Sequence, residues 1–212
     1  MYLPSHFKED RVPVLHAAMR EIALATLVTS GSAGMEASHV PLLLDPEPKP
    51  YGTLVGHIAR ANPQWRRLQE GTESLAIFLG PERYITPDWY PSKRADGKVV
   101  PTWNYVAVHA YGVLKLHHER EWLLDLVSRL TRTHEAPRAT PWAVTDAPAE
   151  FVDQMLRAIV GFELPIARLE GKWKMSQNRS VEDRGGVLAG LAREDGAEGG
   201  DVAAAIRAAN NE

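Results

Sequence analysis

The chain has 212 residues, with 24 Lys plus Arg against 27 Asp plus Glu, 44% hydrophobic residues and no cysteine. This composition describes an ordinary folded domain and excludes disulfide staples, zinc ribbons, iron–sulfur clusters and thiol nucleophiles. A net charge of −3 gives no general attraction to phosphate backbones or anionic lipid. The longest uncharged apolar stretch near the start, residues 22–30, falls short of the ~20 residues that cross a bilayer. A cytoplasmic protein without membrane contact is therefore expected.

Asp10 and Pro13, followed by Leu15, Ala18, Met19 and Ile22 at helical spacing, predict a capped amphipathic helix that ends near Ile22. Residues 23–29 and 38–44 read as strands joined around Gly31, Ser32 and Gly34 by a loop longer than two residues. Pro41 assigns the second strand to an edge or a bulge. After the proline-rich connection 45–50, a strand over 53–58, a short helix over 63–70 and a strand over 75–79 are expected. Residues 80–99 read as a long aromatic loop, and such a loop usually covers something. Residues 99–116 alternate between Tyr105, Ala107, His109, Tyr111, Val113 and the smaller Val106, Val108, Ala110, Gly112, Leu114, the pattern of one long strand. Helices follow over 119–133 and 149–160, then a last strand over 162–173. Two weaker helices, 184–193 and 201–209, flank a Gly-rich break at 196–200.

Six or seven mainly antiparallel strands with non-alternating helices make an α+β fold, a partly open barrel with peripheral helices. Residues 1–180 form the main domain and 181–212 a helical, partly flexible appendage. That appendage holds three arginines against seven carboxylates, a poor composition for a DNA-reading arm. Neither the dinucleotide-binding nor the P-loop glycine signature occurs.

Polar and aromatic residues concentrate in the segments containing His39, residues 56–63, residues 101–105 and residues 174–179. The last offers Lys174, Ser176, Gln177, Asn178 and Arg179, a donor-rich mixture suited to a phosphate and an amide-like ring, or to a solvated turn. Residues 57–63 join a strand end to a helix start, where Arg60 would flank an anion, or where Asn62 merely caps the helix. Trp103 and Tyr105 suit stacking on a planar ring, and equally a core or a dimer interface. His6, His39, His57 and His109 share no ligand spacing, so no metal site is expected.

Taken in order, Met1 to Phe7, His39-Val40-Pro41, Gly56 to Trp65, Trp89-Tyr90, Val100 to Tyr105 and Lys174 to Arg179 resemble the PaiB-like family, described as FMN-binding negative transcriptional regulators. The resemblance implies a split β-barrel of the flavoprotein type, a homodimer and FMN as cofactor. It also implies that His39, His57, Arg60 and Asn62 approach FMN from one protomer, with Trp103, Asn104, Lys174, Ser176, Gln177, Asn178 and Arg179 approaching from the partner. Arg60 or Lys174 would then pair with the phosphate, Asn62 and Ser176 would donate to it, and Asn104 or Gln177 would meet the imide edge of the ring. Three functional readings stay open: flavin-dependent redox chemistry or flavin-linked regulation, a DNA-binding negative regulator without catalysis, and a haem-binding split barrel. Catalytic residues are unassigned. The second reading lacks a basic stripe, and residues 136–147 separate the two best helices too widely for a helix-turn-helix.

Overall fold

The computed structural model describes residues 1–69, 71–196 and 199–210. In chain order the elements are β1 (Lys8–Glu9), α1 (Val12–Ile22), β2 (Leu24–Gly31), β3 (Gly34–Pro41), β4 (Leu43–Asp45), β5 (Thr53–Ala59), α2 (Gln64–Arg67), β6 (Glu73–Ile85), α3 (Ser92–Ala95), β7 (Thr102–Val113) and β8 (Lys115–His117). They continue with α4 (Arg120–Glu135), α5 (Ala149–Arg157), β9 (Ile159–Pro165), β10 (Arg168–Lys174), α6 (Val181–Asp195) and α7 (Gly200–Asn210). One sheet has the order β1-β10-β7-β6-β2-β3 and the other β4-β5-β9-β8. Every pairing assigned a register is antiparallel.

The chain forms two compact units. The first comprises Met1–Leu15, Leu79–Val108 and Glu170–Glu212. Its core joins Ile85, Trp89, Tyr90, Val106 and Met175 to Val187 and Leu191 of α6 and to Val202, Ala203 and Ile206 of α7. Leu191, Ala203 and Ile206 are fully buried, so both helices carry core side chains. Glycine lets α6 approach this closely: a Cβ on Gly190 would lie 2.3 Å from the Trp89 ring, and one on Gly186 would lie 2.0 Å from the Trp89 carbonyl oxygen. Residues 197 and 198 of the expected Gly-rich break lie outside the described residues, as does residue 70 at the end of the expected short helix.

The second unit comprises His16–Phe78 and His109–Leu169. Here β5 and β9 pair over seven residues from Thr53↔Pro165 to Ala59↔Ile159, and β8 pairs with the other edge of β9. The buried stripe of α4, Leu126 and Leu130, packs on Val55, with Trp122 and Leu43 alongside.

Several elements differ from expectation: the strands expected over 38–44 and 99–116 each divide between the two sheets, as β3 and β4 and as β7 and β8, and the helix expected over 149–160 ends at Arg157, with Ile159 and Val160 in β9. β2 and β3 meet at Gly31↔Gly34, so two residues turn the hairpin where a longer loop was expected. β6 runs through the Gly80-Pro81 pair to Ile85, because burying Ile85 in the first unit's core outweighs the local breaker signal. The single strand expected over 162–173 is two strands in different sheets. Between them, Pro165 has no N–H to offer, the Ile166 N–H still bonds the Gly52 carbonyl in register with β5, and the Ala167 N–H turns to the Tyr111 carbonyl of β7. Pro41 lies on β3, the edge strand of its sheet, as its imide ring requires.

Candidate functional site

In the second unit the start of α2 is tied to the β2–β3 hairpin by a buried amide network. Asn62 accepts the Gln64 backbone N–H at 3.0 Å and donates to Ser38 Oγ at 2.8 Å. Ser38 in turn donates to Gln64 Oε1 at 2.6 Å. Gln64, 2% exposed, points Nε2 at the Leu27 carbonyl, Thr29 Oγ1 and the Glu36 carbonyl. Asn62 therefore acts as the local cap, and Gln64 is the residue that sequence reasoning missed. Its signal was a lone glutamine next to Trp65, which helical spacing alone assigns to solvent.

His39 sits opposite Thr26 on β3, with Nδ1 3.0 Å from the threonine hydroxyl. The outward row continues across β2 to Ile77 of β6, and the neighbouring row joins Ala37, Val28 and Leu75. His57 lies elsewhere, on β5, in the row His57–Gly161–His117. Trp122 covers that row at Gly161, where a Cβ would come within 2.2 Å of the indole, and His117 stacks on the same indole at 4.1 Å and 7°. His57 Nδ1 is buried without a hydrogen-bond partner, and burial pushes its pKa below the usual histidine value. Arg60 at the end of β5 donates through Nε to the Arg157 carbonyl and through Nη2 to the Ile159 carbonyl, both at 2.7 Å.

In the first unit the end of β10 and the turn after it face the start of β7. Lys174 Nζ donates to Thr102 Oγ1 and to the Trp103 carbonyl. Burial lowers its pKa first, and the positive charges of Lys172 and Arg179 lower it further. Lys172, 7% exposed, donates to the Tyr2 carbonyl at 3.1 Å, and Arg179 lies 4.6 Å from the centre of the Tyr90 ring. Among the described residues, none of these three cations has an ion-pairing carboxylate. Asn104 and Ser176, both buried, bond each other at 2.9 Å, and Ser176 takes a positive φ of 64° to do so. Gln177 closes its own turn, accepting from the Met175 N–H and donating to the Trp173 carbonyl. Asn178 is exposed, and so is Trp103, whose ring meets Tyr84 edge to face at 5.9 Å.

The eleven expected site residues thus fall into two groups, four in the second unit and seven in the first. Within the first unit a phosphate-sized dianion would meet uncompensated cations and a hydroxyl, and exposed indole and phenol rings stand close by, so these residues suit FMN.

Residues 1–168 match the family described as "Putative FMN-binding domain". The chain belongs to this FMN-binding family. It is 34% identical over 226 residues to an uncharacterized protein of Emericella nidulans, with 90% of each chain covered. It is 31% identical over 195 residues to the Bacillus subtilis protease synthase and sporulation protein PAI 2, covering 92% of this chain and 91% of that one. Among solved structures, the conserved hypothetical protein Rv2991 of Mycobacterium tuberculosis superposes with a TM-score of 0.58 at 13% identity, covering 85% of this chain and 94% of that one. The fold is the α+β split barrel, and FMN is the cofactor of this FMN-binding family member. The family match ends at 168, before Lys174 to Arg179, whereas the similarity to PAI 2 spans most of the chain. No helix among the described residues is long and apolar enough to cross a membrane.

Proposed function

We propose that Lys172, Lys174 and Arg179 receive the FMN phosphate and that the protein works as a homodimeric flavoprotein. The observation that carries this reading is the group of three cations without carboxylate partners among the described residues, around a lysine whose charge is disfavoured first by burial and then by its two cationic neighbours. A dianion there would replace repulsion between cations with charge-assisted hydrogen bonds. Thr102 supplies a hydroxyl beside Lys174, and Trp103 and Tyr84 supply apolar surface for the ring. Asn104, Ser176 and Gln177 hold the turn in shape through bonds to one another and to the backbone, which leaves exposed Asn178 as the amide available to the ring's edge. FMN supplies one- and two-electron redox chemistry when bound, and the protein supplies charge and orientation.

The dimer reading rests on the outward face of β2, β3 and β6 in the second unit. Leu24 is 58% exposed, and the cross-strand rows Ala37–Val28–Leu75 and His39–Thr26–Ile77 lie partly open to solvent beside it. A second copy would cover this sheet face and enclose His39.

The decisive experiment is the visible spectrum of the purified protein, with chromatographic identification of the chromophore released on denaturation. FMN at one equivalent per chain is expected, with loss of FMN from a folded variant carrying Lys172→Gln, Lys174→Gln and Arg179→Gln. A haem Soret band, or a triple variant that keeps its FMN, refutes the proposal.

A further inference from the structure

We propose that a cavity in the second unit is a separate ligand site for an organic phosphomonoester. The cavity has a volume of about 500 Å³ and is lined by Arg60, His118, Arg120, Asp153 and Arg157 above Leu123 and Leu156. The two leucines are 2% and 4% exposed and form an apolar floor.

Three guanidinium groups face a single carboxylate across this space. Asp153 Oδ1 accepts from Arg120 Nε at 2.9 Å and from Nη2 at 2.6 Å, which neutralises one of the three. Arg60 commits Nε and one Nη2 hydrogen to backbone carbonyls, leaving Nη1 uncommitted. The Arg157 side chain has no partner among the described residues. Trp65 fixes the Arg60 corner, because its indole N–H donates to the Arg60 carbonyl at 3.0 Å and its ring meets His118 edge to face at 5.5 Å.

The start of α4 adds first-turn backbone N–H groups to this rim, with the carboxylates of Glu119 and Glu121 beside them. Arg120 is the first residue of this 16-residue helix, and the N-cap Glu119 makes no capping hydrogen bond. Its carboxylate accepts instead from the His118 backbone N–H at 3.0 Å, so no side chain caps the first-turn N–H groups.

A cationic rim over an apolar floor matches a phosphate dianion joined to a carbon skeleton, with the body of the ligand on Leu123 and Leu156. Inorganic phosphate would use the rim alone and bind more weakly.

The experiment titrates FMN-loaded protein with phenyl phosphate and with inorganic phosphate, followed by phosphorus NMR and by flavin absorbance. Saturable binding of phenyl phosphate, tighter than that of inorganic phosphate and without release of FMN, is expected. Arg157→Gln and Arg120→Gln should each weaken it on the order of tenfold to a hundredfold, and Arg132→Gln, outside the cavity, should leave it unchanged. Absence of saturable binding overturns the proposal. So does displacement of FMN by phenyl phosphate together with an equal loss of FMN affinity in Arg157→Gln, because the cavity would then be the FMN phosphate seat itself.

Discussion

Replacing Lys174 with methionine keeps most of the length of the side chain and removes its charge. In the free protein Nζ donates to the Thr102 hydroxyl and to the Trp103 carbonyl, while Lys172 and Arg179 repel it. Losing two hydrogen bonds and losing that repulsion act in opposite directions, so the stability of the FMN-free protein should change by only about 1 kcal/mol. FMN binding should change far more, because a charge-assisted contact to phosphate contributes roughly 1.5–3 kcal/mol, equivalent to about a tenfold to 150-fold increase in Kd. The proton on Lys174 adds a signature. Its pKa lies below the usual 10.5, so the unfolded chain holds the proton more tightly. Stability of the free protein therefore rises with pH between the lowered value and 10.5. FMN affinity runs the other way and falls as pH climbs through that lowered value, because neutral lysine no longer attracts the phosphate. Quenching of free FMN fluorescence, titrated across alkaline pH with wild type and Lys174→Met, measures both effects. A folded variant with unchanged affinity and an unchanged pH profile would refute the assignment of Lys174 to the phosphate.

Three further outcomes are expected. Gly161→Ala would bring a methyl group 2.2 Å from the Trp122 ring and 2.8 Å from Leu123, so thermal denaturation should show a loss of about 1–3 kcal/mol, with tryptophan fluorescence altered by the displaced His117 stack. Burial lowers the His57 pKa, so the unfolded chain takes up the proton first and stability falls as pH drops below the usual 6.5 toward the folded-state value. The melting temperature of wild type should drop between about pH 7 and pH 5, and His57→Gln should flatten that drop; equal slopes would show that another group is responsible. Val28→Glu places a charge in the middle of the row Ala37–Val28–Leu75, and light scattering should find a folded monomer of 23.5 kDa where the proposed homodimer of the wild type would have twice that mass; equal masses for the two proteins would refute the dimer face.

Periodic burial made most elements legible in the sequence. The stripe Trp122, Leu123, Leu126, Val127, Leu130 is α4, and the alternation from Tyr105 to Val113 is β7. What escaped was the partition between sheets. Residues 159–174 are β-prone almost throughout, and only the missing N–H of Pro165 marks where the chain leaves one sheet for the other. β6 was cut short for the opposite reason: Gly80-Pro81 carries a strong local signal, and the burial of Ile85 that overrides it depends on α6 and α7, more than a hundred residues away. Sequence distance hid that packing, and no local window could have shown it.

The candidate site shows a similar division between segment and atom. The segment Lys174 to Arg179 was legible because cations, a hydroxyl and amides crowd into six positions. Which atoms remain for a ligand was not, because a buried amide binds whichever backbone group lies nearest. Gln177 turns both ends of its carboxamide onto Met175 and Trp173, Ser176 meets Asn104, and Asn62 caps α2. The amides therefore build the turn, while the cations, which backbone carbonyls satisfy only in part, keep their charge. A phosphate requires that uncancelled charge, and it sits on Lys172, Lys174 and Arg179. Lys172 lies outside the segment that the sequence pattern singled out, two residues earlier on the same strand and hence on the same face as Lys174.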